Sequence, residues 1–197
     1  MAGKKNSKLS DLKTVLLALF FIIIFLVFFN SLSDRAGKER TKETATEIDL
    51  LMNYDLYGNY PKTPRDVAKL HNRYFEVLYG KGVTEEELVV INQKIRGLYS
   101  SELLSYNDEN TNLNSLKDNV EAVKEAGYEY RSYELPEASQ TEYYTQNGVE
   151  MATLEVKIVF NVDSGMEYMY VKYVMVKENN QWKIHVWGIS DTVEMTE

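Results

Sequence analysis

His71 and His185 are the chain's two imidazoles, and the second lies in "NNQWKIHVWGIS" (residues 179–190) together with both tryptophans. Histidine titrates near neutrality, so either could act as a general base where a pocket brings a second polar group to it. Strand alternation sets Trp182, Ile184 and Val186 on one face and Lys183, His185 and Trp187 on the other. The sequence places no titratable partner beside His185, which therefore reads as a sheet-surface residue before it reads as a base. His71 falls in a helical stripe beside Leu70 and Tyr74, where a half-buried packing residue is expected. Among fifteen tyrosines, Tyr128, Tyr130, Tyr133, Tyr143 and Tyr144 form one cluster and Tyr168, Tyr170 and Tyr173 another. Tyrosine gives contact area with one polar handle, which suits a ligand mouth or an interface, but aromatic residues also simply favour strands. The candidate pocket or interface residues are Tyr144, Tyr168, Tyr170, His185 and Trp187. No catalytic, cofactor-binding or metal-binding residue is assigned. With zero cysteines there is no disulfide framework or thiolate chemistry. No phosphate loop, nucleophile elbow or zinc motif is present, so no cofactor is expected.

The elements that position these residues change period at Gly127. Before it, apolar residues recur at helical spacing. Ile48, Leu51, Met52 and Leu56 predict a first short helix ended by "YGNYP". Thr63, Pro64 and Asp66 form a capping pattern, followed by a stripe of Val67, Leu70, His71, Tyr74, Val77 and Leu78 that Gly80 and Gly82 stop. Thr84 and the acidic triplet Glu85-Glu86-Glu87 start a third helix, whose stripe runs from Leu88 through Ile91, Ile95, Leu98 and Tyr99 to Leu103. "NDENTNLN" reads as a polar break, and Leu113 to Ala126 as a fourth helix. After Gly127 the period is 2. Turn signals at 146–149, 162–166 and 178–181 separate four strands at hairpin spacing, and a further strand near Tyr128–Leu135 precedes them. Helices followed by consecutive strands mean α+β, with runs long enough for the sheet to curl round a helix.

At the N-terminus, Val15 to Phe29 is wholly apolar, and Thr14 to Leu32 matches the ~20 residues that span a hydrocarbon core. This predicts a transmembrane signal anchor over 14–32, a cytoplasmic tail over 1–13, a linker over 33–46 and an extracytoplasmic domain over 47–197. Lysines and arginines tie across the segment, and the short basic tail puts the N-terminus inside. A cleavable signal peptide ending at Ser31-Leu32-Ser33 is the rival reading. Removing the tail's four lysines and Asp11 from 22 basic and 30 acidic residues leaves 18 and 29, a net charge of −11. Such a surface argues against nucleic acid and against docking on anionic lipid.

An anchor, three to four helices and a long antiparallel sheet ending in "NNQWKIHVWGIS" resemble the layout of the nuclear-transport-factor-2-like fold, a cone with helices in a concave sheet. The words "NYPKTPRDVAKLHNRYFEVLYG", "TEEELVVINQKIRGLYSSELLSYN" and "YYTQNGVEMATLEVKIVF" resemble an uncharacterised family, a domain of unknown function found in small membrane-anchored proteins of Gram-positive bacteria. The resemblance covers nearly the whole chain and brings no catalytic motif with it. Enzymes of the wider superfamily pair Asp or His with Tyr, a role His185 would take.

The expected function is a membrane-tethered, non-enzymatic interaction or scaffolding domain. Its partners would be the membrane through the N-terminal helix, and another envelope protein or a second copy through the sheet, with no nucleic acid. The alternative is a binder of small apolar ligands, or an isomerase-like enzyme, using the cone interior with Asp163, His185 or tyrosine hydroxyls. An interior filled by Trp182, Phe160 and helix side chains would speak against it.

Overall fold

The computed structural model describes residues 42–80 and 82–190. The expected α+β order is present: helices first, then a five-stranded antiparallel sheet. The expectation of an N-terminal transmembrane helix leading into a nuclear-transport-factor-2-like domain is corrected. No helix among the described residues is long and apolar enough to cross a membrane, and residues 14–32 lie outside the described residues. The helices also number five among the described residues rather than three or four.

Helix α1 (Lys42–Met52) places Ile48 and Leu51 in the core. Helix α2 (Pro64–Tyr79) starts where the sequence predicted: Thr63 Oγ accepts from the Asp66 amide at 3.1 Å and donates to its carboxylate at 2.7 Å. Ten of its sixteen residues are buried, so α2 is the rod on which the sheet packs. Helix α3 (Glu85–Arg96) begins with a complete capping box between Thr84 and Glu87.

The sequence carried that helix on to Leu103, and the structure stops it at Gly97. Leu98 to Ser100 leave the helix to pair with the sheet instead. The Ile184 amide donates to the Leu98 carbonyl and the Ser100 amide to the Ile184 carbonyl, both at 2.8 Å. A Cβ at Gly97 would lie 2.7 Å from the Leu56 side chain, so Leu56 packs directly over this glycine. A short helix α4 (Ser101–Tyr106) follows. Helix α5 (Glu109–Glu125) then begins four residues before the expected start at Leu113, inside the stretch that read as a polar break. Asp108 explains the difference: its carboxylate accepts from the amides of Asn110 and Thr111 at 3.1 and 3.0 Å, and this cap offsets the weak helix propensity of Asn and Thr.

In the sheet, β3 (Val149–Val162), β4 (Gly165–Glu178) and β5 (Gln181–Ile189) are joined by tight hairpins. At Asn147-Gly148 and Asn179-Asn180 both central residues have positive φ, the geometry of turns whose twist matches the strands they connect. Strands β1 (Glu129–Glu134) and β2 (Glu142–Gln146) both pair with β3, one beside residues 157–161 and the other beside 149–153. They run in the same direction along one edge of β3, as a single strand interrupted at Pro136 and a 3-10 turn (Ala138–Gln140). Ala152, Leu154, Val156, Ile158 and Phe160 face the helices, and with Tyr74, Leu78, Ile91, Tyr173 and Ile184 they make one continuous core.

Candidate functional site

Alternation along β5 fails at one residue. Met175 pairs with Ile184 and the preceding Val174 pairs with Val186, so His185 is an extra residue, a β-bulge. Beyond it the parity is reversed. Trp187 pairs with Tyr173 and turns toward the helices, while Val186 pairs with Val174 on the outer face. The sequence-based placement of Trp187 with Lys183, and of Val186 with Trp182, is corrected by this single insertion. The indole instead packs 5.2 Å from the His71 ring and 5.1 Å from Phe75, centroid to centroid.

Behind the indole lies a buried polar chain. The Tyr130 hydroxyl donates to Asn72 Oδ1 at 3.0 Å, and Asn72 Nδ2 donates to the Tyr173 hydroxyl at 3.0 Å and to the Ala68 carbonyl at 2.8 Å. The Tyr173 hydroxyl, already accepting, has its own proton free for His71 Nδ1 at 2.9 Å. This assigns the imidazole proton to Nε2, which has no hydrogen-bond partner and sits among the rings of Phe75, Tyr99 and Trp187. Burial pushes the His71 pKa down to about 3 and the Tyr173 pKa up, so both are neutral at physiological pH. The network is a fixed, uncharged strut, and the half-buried packing residue expected at His71 is in fact fully buried.

A cleft of about 120 Å³ opens in front of this strut. One wall is aromatic: Phe75 and Tyr79 from α2, Tyr99 from the segment after α3, and Trp187 from β5. Burial pushes the Tyr99 hydroxyl up to about 12, against the pull of its hydrogen bond from the Trp187 indole. The opposite wall is α5, which contributes Asn112, Ser115, Leu116 and Asn119 at the i, i+3, i+4, i+7 spacing of one helical face. Asn92 and Ile95 of α3 close the floor. None of these cleft residues except Trp187 was expected. The signal was there: Asn112, Ser115 and Asn119 at helical spacing, of which reading 107–114 as a break removed Asn112.

The remaining sequence candidates go elsewhere. Tyr144, Tyr168 and Tyr170 lie on the outer face of the sheet, paired with Met151, Val159 and Lys157. His185 Nδ1 is 3.4 Å from Ser100 Oγ, which is buried and accepts from the Leu103 amide as the cap of α4. That pairing gives no exposed nucleophile. Phe160 and Trp182 fill core positions. Among the described residues no three His, Asp or Glu side chains are grouped as a metal site requires.

Fold and site define a helix-backed, five-stranded antiparallel α+β domain with a neutral polar strut in its core. The chain belongs to the family described as "Domain of unknown function (DUF6715)", whose model matches residues 1–187. No curated protein matches it. Among solved structures it is similar to a SEC-C motif containing protein from Psychrobacter arcticus, at 16% identity and a TM-score of 0.34, covering 84% of this chain and 79% of that one. It is also similar to the intermembrane space region of the chloroplast protein ARC6, at 13% identity and a TM-score of 0.29, covering 77% of this chain and 98% of that one. At these scores neither defines the fold of this chain.

Proposed function

We propose that the domain is a non-catalytic interaction module that docks a protein partner on the outer face of its sheet. One observation carries this reading: Met166, Tyr168 and Tyr170, at alternate positions of β4, are each about half exposed (50, 55 and 49%) on one surface. Charges of both signs surround them. Lys157 Nζ stands 4.5 Å over the Tyr168 ring and 3.2 Å from the Glu134 carboxylate, Arg131 Nη1 is 3.1 Å from Met166 Sδ, and Lys172, after Tyr170, pairs across the strands with Glu155. An aromatic centre with a mixed charged rim is the composition of protein interfaces. The rival reading, an apolar ligand or isomerase-like reaction inside the cone, has less support, because Phe160, Trp182 and Tyr173 occupy the interior.

The proposed location is the outer side of a cell membrane, for which the apolar run Val15–Phe29 is the support. A reporter fused after Glu197 reads active outside the cytosol if so, and active inside it if not. For the interface, a photo-crosslinking residue at position 170 should trap a partner whose purified form binds the full chain. That affinity should fall at least tenfold in the Tyr168→Ala, Tyr170→Ala double variant and weaken with added salt. Undiminished binding by the double variant overturns the reading.

A further inference from the structure

We infer that the cleft between α5 and β5 is a binding site for one neutral, hydroxyl-bearing ring, a sugar residue of a glycan. It lies on the helix side of the sheet and does not rest on the outer-face interface proposed above. The first observation is the mismatch of its walls. Leu113, Leu116 and Val120 of α5 pack against the core as an amphipathic helix should, yet the face toward the cleft carries Asn112, Ser115 and Asn119 beside Leu116. The second is that three asparagines of the cleft, Asn92 buried, Asn112 half-buried and Asn119 exposed, keep their side-chain amides free of the rest of the fold. Asn92, only 2% exposed, lines the cleft, and its side-chain amide makes no hydrogen bond among the described residues; the same holds for the side chains of Asn112 and Asn119.

Amides that face a cleft and pair with nothing in the fold keep their donors and acceptors for what enters it. A ligand seated there must either pair with them or bury them unsatisfied. Its chemistry follows from the lining. The cleft holds no charged side chain, so an ionic ligand would leave water without a counter-charge. A purely apolar ring would bury the three asparagines still unsatisfied. Each amide offers both a donor and an acceptor, as does each hydroxyl of a sugar, while the apolar C–H face of the ring matches the Tyr99 and Trp187 rings. At about 120 Å³ and open to solvent, the cleft is smaller than the roughly 150 Å³ cavity that encloses a benzene-sized ring, so a sugar would seat one face of its ring there and leave the rest in water. The strut of His71 and Tyr173 fixes the rings of Phe75 and Trp187 from behind, so the wall is formed before the ligand arrives.

The test is ligand-observed saturation-transfer NMR on the full chain with glucose, N-acetylglucosamine and a short N-acetylglucosamine oligomer, up to about 20 mM, against N-acetylprolinamide as a peptide-like ring. Saturation of the ring C–H protons of at least one sugar, with a millimolar dissociation constant, is expected. Asn119→Ala should weaken it at least tenfold; Asn119 is exposed, so the variant folds. Asn112→Ala should do the same, whereas Asn110→Ala, outside the cleft, should leave binding unchanged. No saturation of any sugar, equal saturation in the Asn119 and Asn112 variants, or saturation of the prolinamide alone overturns the inference.

Discussion

Strand β4 carries two sets of tyrosines whose environments share nothing except the backbone between them. Tyr173 is fully buried, its hydroxyl held between Asn72 and His71, while Tyr168 and Tyr170 stand half in water on the other side. The difference shows that tyrosine content alone says nothing of role: parity along the strand decides whether the ring supports the fold or is left for something outside it. The comparison is broken most severely at Tyr173. Replacing it with Ala removes a buried ring and strands Asn72 and His71, and is expected to cost about 3–5 kcal/mol, measured by urea unfolding. A Tyr173→Ala variant within 1 kcal/mol of the parent would mean the strut carries no weight.

The strut also gives the inner face a pH dependence that the outer face lacks. In the unfolded chain His71 titrates near its ordinary value of 6.5, whereas in the folded chain burial holds it at about 3. Between those values the unfolded state takes up a proton that the folded state refuses. Stability is therefore complete above about pH 6.5 and falls as the pH drops, with a slope near 1.4 kcal/mol per pH unit from this group. Carboxylates add their own slopes below about pH 5, so the clean window is pH 5 to 6.5. His71→Phe should flatten that window while lowering stability throughout, because the Tyr173 hydroxyl then has no acceptor. Parallel slopes for the parent and the variant would assign the acid sensitivity to another group.

Between these two faces, the legible parts of the sequence were those governed by neighbours in the chain. The Thr63 and Thr84 caps, the stop at Gly80 and the hairpins at Asn147-Gly148 and Asn179-Asn180 follow from local geometry, and all are present. What the sequence hid depends on partners far along the chain. Leu98 and Tyr99 continue a helical period, yet they leave the helix because Ile184 offers two backbone hydrogen bonds. His185 looks like one step of an alternation until its pairing with β4 exposes it as a bulge, and with it the turn of Trp187 to the helix side. The start of α5 was masked by residues of weak propensity whose cap outweighed them. The contrast between local and distant causes has its own measurement at the first hairpin. Gly148 has φ +80°, so Gly148→Ala is expected to cost about 1 kcal/mol, with no clash to explain it since nothing lies near the added Cβ. A loss above about 2 kcal/mol would point to packing rather than backbone conformation.

The smallest stability effect belongs to the outer face, and it separates exposure from function most sharply. Tyr168→Ala and Tyr170→Ala remove rings that are half solvated, with hydroxyls in no hydrogen bond of the described structure. Surface changes of this kind stay within about 0.5 kcal/mol, and the Lys157–Tyr168 contact adds at most about 1 kcal/mol at an exposed site. Urea midpoints of the single variants should therefore nearly overlay the parent. If they do while partner binding is lost, the rings are there for the partner. If Tyr168→Ala instead lowers stability by 2 kcal/mol or more, the ring is covering Val159, the apolar residue beneath it that is only 5% exposed, and the outer face is a second small core rather than a docking surface.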